Sequence, residues 1–73
     1  MNGQIATTMS QKEQILRHLK GGGEIDPMRA LKAYGCFRLG ARIYELKEDG
    51  YNIISRLVHD RLTGKRYAVY SMR

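Results

Sequence analysis

The chain has 73 residues, 42% of them hydrophobic, and a formal net charge of +6. This length allows one small domain, near the size at which a single hydrophobic core is only marginally stable, and a large catalytic cleft would not fit. No apolar run is long enough to span a bilayer and no charged-then-apolar leader opens the chain, so we expect a soluble intracellular protein.

The reactive side chains are few and scattered. Cys36 is the single cysteine, so an internal disulfide cannot form, and we expect it to be a small, half-buried apolar residue in a turn. His18 and His59 are far apart in the sequence and have no serine or cysteine partner at a recognisable motif. The sequence therefore predicts no enzyme, no catalytic residues, no metal site and no cofactor.

The positive charge is concentrated in one part of the chain. Residues 1–26 contain three basic and three acidic residues, whereas residues 27–73 contain ten basic and four acidic residues. The later part of the chain is therefore where a polyanion would bind, although charge alone is also compatible with an ordinary basic surface.

The first predicted element is a short helix. Residues 1–9 are polar or small and lack periodicity, so we expect a flexible N-terminal arm. Ser10 and Glu13 form a capping box, and apolar residues at helical spacing continue to Lys20, which predicts a helix of about ten residues. Glycines at 21–23 end this helix because glycine loses much backbone entropy in a helix. Glu24 and Ile25 then leave room for a short extended piece.

A second helix is predicted after this linker. Asp26 can cap its free N–H groups, and Pro27 suits the first helical position because its missing N–H would have no intrahelical partner. Gly35 provides the permissive backbone that a sharp exit needs. The side chains expected to point inward are Met28, Leu31 and Tyr34.

A third helix is predicted to begin about three residues after Gly35. Leu39, Ile43 and Leu46 lie at i, i+4 and i+7, which is one face of a helix, and Gly50 is placed to end it in a left-handed conformation. Two short helices joined by a tight, glycine-containing turn, with arginines opening the second, form a helix-turn-helix pattern.

Two strands are predicted after the helices. Residues 51–59 and 66–72 are rich in β-branched and aromatic residues, and the segment 60–65 between them contains a glycine turn signal flanked by basic residues. These segments predict a hairpin with a basic tip. Its register stays open because Ile53 and Ile54 are adjacent and point to opposite faces.

The order helix, extended piece, helix, turn, helix and hairpin is that of a winged helix-turn-helix, an α+β fold of three helices and a two-stranded wing. The sequence Ile25-Asp-Pro-Met-Arg-Ala-Leu, followed by Tyr34-Gly-Cys-Phe-Arg-Leu-Gly-Ala-Arg-Ile-Tyr-Glu-Leu and Gly50-Tyr-Asn-Ile, resembles the small winged helix-turn-helix proteins of bacteriophages and prophages. This resemblance covers roughly residues 11–72. More loosely, Leu46 through Gly50 to Arg56, with Asp60-Arg61, is similar to the recognition helix and wing of MarR-type regulators.

The resemblance implies a winged helix-turn-helix domain over residues 10–73 that binds DNA. A DNA-binding protein of this kind is expected in the bacterial cytoplasm, associated with the nucleoid. Family members of this type are mostly of unknown biological role, so the resemblance defines the fold more sharply than the process.

Two arginines are the main candidates for reading bases. Arg38 and Arg42 lie one turn apart on the same flank of the third helix, and a guanidinium can donate two hydrogen bonds to O6 and N7 of guanine in the major groove. The same side chains are equally suited to phosphates, and Arg42 is also spaced to pair with Glu45 at i+3.

Four further residues of this helix belong to the predicted interface. Gly40 and Ala41 are small and would let the backbone approach the groove closely, or would relieve packing against the preceding helix. Tyr44 and Lys47 lie toward the other flank, where phosphate contact or simple solvation is expected.

Basic residues outside this helix complete the predicted site. Arg61, Lys65 and Arg66 on the wing are expected to contact phosphates or the minor groove, with a solvated turn as the alternative. Arg29 and Lys32 on the second helix are weaker candidates for backbone contact. The strand tyrosines can stack on bases but are more often core or sheet-face residues; they are Tyr51, Tyr67 and Tyr70.

Three functions are compatible with this sequence. The first is a sequence-specific transcriptional regulator of phage or mobile-element origin that occupies an operator. The second is an architectural or recombination accessory factor, similar to excisionases, which a basic wing with few base-reading side chains on the helix would favour. The third is a protein-interaction module, supported by acids that would face phosphates unless turned away: Glu45, Glu48 and Asp49.

Double-stranded DNA is the expected partner, with no membrane involvement. A homodimer, cooperative binding and a protein partner are all left open, and strand 67–72 is the edge through which two copies would pair.

Overall fold

The computed structural model describes residues 9–72. Residues 1–8, which hold most of the predicted N-terminal arm, and residue 73 lie outside the described residues. Three helices precede an antiparallel two-stranded hairpin, which confirms the α+β winged helix-turn-helix architecture. The elements are α1 (Gln11–Lys20), α2 (Pro27–Tyr34), α3 (Leu39–Glu48), β1 (Ile53–His59) and β2 (Arg66–Met72). None of the described helices is both long and apolar enough to cross a bilayer.

Helix α1 begins with the predicted capping box. The Glu13 N–H donates to Ser10 Oγ at 3.2 Å, and the Ser10 N–H donates to Glu13 Oε1 at 3.2 Å. These bonds satisfy N–H groups that have no partner inside the helix. Ile15 and Leu19, four residues apart on one face, are buried.

Helix α2 begins and ends as predicted, but it turns a different face to the core. The Arg29 N–H donates to Asp26 Oδ1 at 2.8 Å, and Gly35 is left-handed with φ 64°. The expectation that Met28 and Leu31 point inward is wrong, because Ala30 is the buried residue of this helix and Met28 is 60% exposed.

Helical geometry explains the correction. Met28 lies roughly 200° around the helix from Ala30, so both cannot face the core. The small Ala30 side chain lets α2 pack closely, and Tyr34, one turn later on the same face, is half-buried against the core as predicted.

Helix α3 buries the predicted face, with Leu39, Ile43 and Leu46 inside. Its C-terminus has two hydrogen bonds of the Schellman type. The Tyr51 N–H donates to Leu46 O at 3.1 Å, and the Gly50 N–H donates to Lys47 O at 3.0 Å. Gly50 has φ 99°, a conformation that suits glycine, as predicted.

The hairpin register, which the sequence left open, pairs Ile53 with Met72 and His59 with Arg66. Ile53 is buried whereas Ile54 is exposed, so the core takes the first of the two adjacent isoleucines. A register shift by one residue would exchange these faces.

The short extended piece before α2 joins the sheet through one residue. Ile25 forms an antiparallel bridge with Tyr70, in which the Ile25 N–H donates to Tyr70 O at 3.0 Å and the Tyr70 N–H donates to Ile25 O at 2.8 Å. Strand β2 therefore lies between β1 and Ile25, and its second edge is occupied at Tyr70 rather than open to another chain.

One small core connects all the helices to the hairpin. Cys36 belongs to it and is more deeply buried than predicted, at 2% exposure. Its backbone N–H donates to Ala30 O at 3.1 Å, which holds the turn against α2. The buried cluster consists of Ile15, Leu19, Ile25, Ala30, Cys36, Leu39, Ile43, Leu46 and Ile53.

His18 fastens the glycine linker to two helices. Its Nε2 lies 2.8 Å from Glu24 O, and its Nδ1 lies 2.9 Å from the Tyr34 hydroxyl. Since a carbonyl oxygen only accepts, Nε2 carries a proton and donates to Glu24 O. A Cβ on Gly23 would lie 2.8 Å from His18 Nε2 and 3.1 Å from His18 O.

Gly23→Ala should therefore destabilise the fold, because the added methyl displaces the His18 ring. We expect a loss of about 1–2 kcal/mol of unfolding free energy in urea denaturation. Gly21→Ala is the matched control: its Cβ meets nothing closer than 3.5 Å, and Gly21 has φ −75°. That variant should be neutral or slightly stabilising. Equal effects of the two substitutions would contradict the role given to His18.

Candidate nucleic-acid interface

The residues that α3 exposes to solvent are determined by the face that it buries in the core. Because Leu39, Ile43 and Leu46 face the core, Gly40, Tyr44 and Lys47 are left exposed on the helix surface. A Cβ on Gly40 would have no heavy atom within 4 Å, so relief of packing does not explain this glycine. Ala41 is half-buried.

Arg38 immediately precedes the first turn of α3. It is the N-cap residue with φ −121°, its side chain makes no capping hydrogen bond, and it is exposed. The Arg38 carbonyl instead accepts from the Ala41 and Arg42 N–H groups at 3.1 and 3.3 Å. Its guanidinium is thus available to a ligand that approaches the start of α3.

Arg42 lies in a different environment from Arg38. Its Nη2 is 3.3 Å from Glu45 Oε2, its side chain is 31% exposed, and its buried Nε has no hydrogen-bond partner among the described residues. Of the alternatives that the sequence left open, the structure therefore shows the i+3 pairing with Glu45. Arg42 can reach a ligand only by leaving or sharing this pair.

The wing carries three exposed cations, Arg61, Lys65 and Arg66. Its turn is held by backbone bonds in which the Asp60 N–H donates to Lys65 O at 2.8 Å and the Gly64 N–H donates to Asp60 O at 2.7 Å. Gly64 has φ 73°, which a residue with a side chain rarely adopts. The basic tip is therefore a defined turn.

Two neighbouring grooves lie along α2, and the second of them also borders the wing. The first is lined by Asp26, Met28, Arg29, Lys32 and Ala33. The second is lined by Asp26, Pro27, Met28, Asp60, Thr63, Lys65, Arg66 and Tyr67. The first groove lies along α2 and only the second reaches the wing, but because Asp26 and Met28 border both, the cations of α2 and those at the base of the wing line adjoining grooves.

The three tyrosines predicted to lie on strands divide between core and surface, and Tyr51 lies just before β1 rather than within it. Tyr51 and Tyr70 are half-buried and pack against the core, in agreement with the structural role preferred for them. Tyr67 lines the groove beside the wing.

Most carboxylates form ion pairs or hydrogen bonds with other groups of the same chain. Glu45 pairs with Arg42, Asp49 lies 2.6 Å from Lys12 Nζ, and Glu24 lies 2.9 Å from Arg56 Nη2. The hydrogen bond from Lys12 to Asp49 raises the pKa of Lys12 above its ordinary value. Backbone N–H groups donate to the remaining engaged acids, which are Glu13, Asp26 and Asp60.

As a result, six of the seven acidic side chains have partners within the described residues, and Glu48 is the one for which these residues provide none. Seven predicted interface cations have no carboxylate within ion-pair distance among the described residues. They are Arg29, Lys32, Arg38, Lys47, Arg61, Lys65 and Arg66.

The family model described as a winged helix-turn-helix domain matches residues 10–73. The chain belongs to this family. Membership supports DNA binding as the function class, in agreement with the basic surface. No curated protein and no solved structure matches the chain.

Two exposed apolar residues were missed by reasoning from the sequence. In this winged helix-turn-helix domain, Phe37 in the turn before α3 is 86% exposed, and Leu62 at the wing tip is 96% exposed. The sequence did contain a signal, because each is a large apolar residue within a turn, where polar residues and glycine usually predominate. Both lie beside predicted interface cations, Arg38 and Arg61.

The part of this winged helix-turn-helix domain that the structure describes contains no group of three or more histidine, cysteine or acidic side chains suited to a metal ion. The two ring nitrogens of His18 are occupied by structural partners.

Asp60 should make the wing tip sensitive to acid. The Leu62 N–H bond at 2.9 Å, followed by the contribution of Thr63, lowers the pKa of Asp60 below its ordinary 3.8. Because the pKa of Asp60 is depressed in the folded state, this stabilisation is fully present above the unfolded-state pKa and is lost as the pH falls through the folded-state pKa.

An NMR pH titration of the Leu62 amide should therefore have its midpoint below 3.8. In the control Asp60→Asn, this transition should disappear because the side chain no longer ionises. A midpoint at or above the ordinary value would contradict the turn geometry.

Proposed function

We propose that this protein binds double-stranded DNA as a sequence-specific transcriptional regulator of phage or mobile-element origin. The observation that carries the proposal is the division of charge among the described residues: six of seven carboxylates have partners within the protein, whereas every predicted interface cation except Arg42 lacks an acidic partner. A surface of this kind attracts phosphates and gains affinity by releasing their counterions.

The N-terminal end of α3 enters the major groove in this proposal. Arg38 donates to a guanine edge or a phosphate, and the exposed Gly40 lets the backbone approach closely. Ala41 lies beside them, and Tyr44 and Lys47 contact the sugar-phosphate backbone from the exposed side of the helix.

The acids of α3 are compatible with this orientation. Glu45 and Asp49 are neutralised by Arg42 and Lys12. Glu48 is the last residue of α3, about 15 Å along the helix axis from Arg38, so a helix that enters by its N-terminus keeps this carboxylate away from the bases. This weakens the main argument for a protein-interaction module.

In this proposal the wing and α2 both contact the duplex, from the two sides of the groove that lies between them. Arg61, Lys65 and Arg66 contact phosphates or the minor groove, while Arg29 and Lys32 contact the sugar-phosphate backbone.

The phage or mobile-element origin and the regulatory role rest on the sequence resemblance to small phage proteins. Cytoplasmic, nucleoid-associated localisation follows from DNA binding, and a homodimer or cooperative binding would double the number of contacts.

One observation favours a second function, that of an architectural or recombination accessory factor. The pairing of Arg42 with Glu45 leaves Arg38, the N-cap of α3, as the arginine of this region that is ready to read bases, whereas the wing keeps three exposed cations, Arg61, Lys65 and Arg66. Few base-reading side chains and a basic wing favour recognition of DNA shape over sequence.

Fluorescence anisotropy of the protein on random duplex DNA across a salt series tests binding. We expect log affinity to fall steeply with log salt, with a slope that corresponds to roughly four or more phosphate contacts. A flat or absent response would reject both DNA functions and favour the protein-interaction module. Selection from a random pool then separates the two: a regulator should enrich one sequence, and an architectural factor should not.

Arg38→Ala and Arg42→Ala should affect binding to a selected site unequally. We expect Arg38→Ala to weaken binding by about 1–3 kcal/mol, because it removes an exposed guanidinium at the groove. Arg42→Ala should weaken binding less, since that side chain is already paired with Glu45. Anisotropy on the same duplex measures both. A larger effect at Arg42 would show that the Glu45 pair opens on binding, and no effect at either residue would reject α3 as the recognition helix.

A further inference from the structure

The wing tip combines features that basic hairpins do not need for holding phosphates. Leu62 projects from the turn with 96% of its surface exposed. An apolar side chain at such a position gains nothing from folding, and a polar residue there would be better solvated. The tip therefore carries apolar surface that is available to a partner.

The backbone around Leu62 is held in place before any partner binds. The Leu62 N–H donates to Asp60 Oδ1 at 2.9 Å, and the Lys65 N–H donates to Thr63 Oγ1 at 3.3 Å. Together with the bonds that close the turn, they fix the direction in which the Leu62 side chain leaves the chain. A preorganised turn backbone loses less conformational entropy when the protein binds a partner.

Charges around the tip indicate what that partner is. Arg61 precedes Leu62, Lys65 follows in the turn and Arg66 begins β2, and all three are exposed. The nearby carboxylate of Asp60 is occupied by backbone donors of the turn. An apolar point surrounded by cations is complementary to the minor groove, whose phosphate walls are negative and whose floor exposes the edges of stacked bases.

We propose that Leu62 inserts between neighbouring base pairs from the minor groove and kinks the duplex. Arg61, Lys65 and Arg66 hold the phosphates on either side, while the leucine occupies the gap opened between two base pairs. This inference rests on the proposed function, since it requires that the protein bind duplex DNA, and it adds a wedge that neither the basic residues nor α3 provides.

The kink also makes a prediction about sequence. Pyrimidine–purine steps such as TA unstack more easily than other steps, so insertion is least costly there. Discrimination at this step would arise from DNA deformability and would need no hydrogen bond to a base.

End-to-end FRET on a duplex much shorter than the DNA persistence length of about 150 base pairs tests the wedge. The full-length chain should shorten the end-to-end distance at saturation, more on a duplex with a central TA step than on one without a pyrimidine–purine step. Leu62→Ala should lose most of this bend and bind roughly tenfold more weakly, because the alanine buries much less apolar surface. Its salt slope should not change, since no phosphate contact is removed.

Leu57→Ala is the matched control. Leu57 is also exposed, at 69%, but it lies within β1 opposite Ala68, away from the tip. This variant should bend and bind DNA like the unmodified protein. Circular dichroism should show that both variants fold, as expected for substitutions of solvent-exposed side chains.

The outcomes separate this inference from the proposed function. Salt-dependent binding with an undiminished bend in Leu62→Ala would overturn the wedge and leave DNA binding intact. Binding without any bend by the unmodified protein would do the same, whereas equal losses in Leu57→Ala and Leu62→Ala would assign the effect to general surface hydrophobicity. Absence of salt-dependent binding would overturn the proposed function and the wedge together.

Discussion

Ile25 lies where the helices and the hairpin meet. Its side chain is buried in the core, and its backbone exchanges two hydrogen bonds with Tyr70 of β2. In a chain this short the core is small, so one residue that belongs to the helical cluster and also to the sheet has a large influence on the orientation of the wing. Asp26, the next residue, caps α2, so the same short segment determines where α2 begins and where β2 lies. The groove between α2 and the wing is a consequence of this arrangement.

The distribution of charge on the surface depends on which charged side chains the fold brings together in ion pairs. Ion pairs between α1 and α3, within α3, and between the linker and β1 use Asp49, Glu45 and Glu24. Exposed pairs of this type contribute little to stability, typically below about 1 kcal/mol each. Their larger consequence is spatial, because they neutralise acids that would repel phosphates and leave cations on α2, at the start of α3 and on the wing. The net charge of +6 is thereby concentrated on the surface formed by α2, the start of α3 and the wing.

The two ends of the proposed interface differ in character. At α3, the pairing of the half-buried Arg42 with Glu45 reduces the number of guanidinium groups that are ready to read bases. At the wing, an ordered turn presents Leu62 among cations, which is suited to deforming DNA. The regulator and the architectural factor therefore differ in how the binding energy is divided between these ends. In the first, Arg38 and α3 select the site; in the second, the wing selects a deformable one.

The sequence by itself determined the features that depend on a few neighbouring residues. The Ser10 capping box, the Asp26 cap, the left-handed glycines at 35 and 50 and the apolar face of α3 all act through local hydrogen bonds and sterics, and each was predicted. Only the tertiary structure decided which face of α2 packs, the register that buries Ile53 rather than Ile54, and the half-buried state of Arg42. It also decided that Phe37 and Leu62 stay in solvent. These outcomes depend on which surfaces pack together when segments distant in the sequence form one small core. The pattern of neighbouring residues alone does not determine that packing.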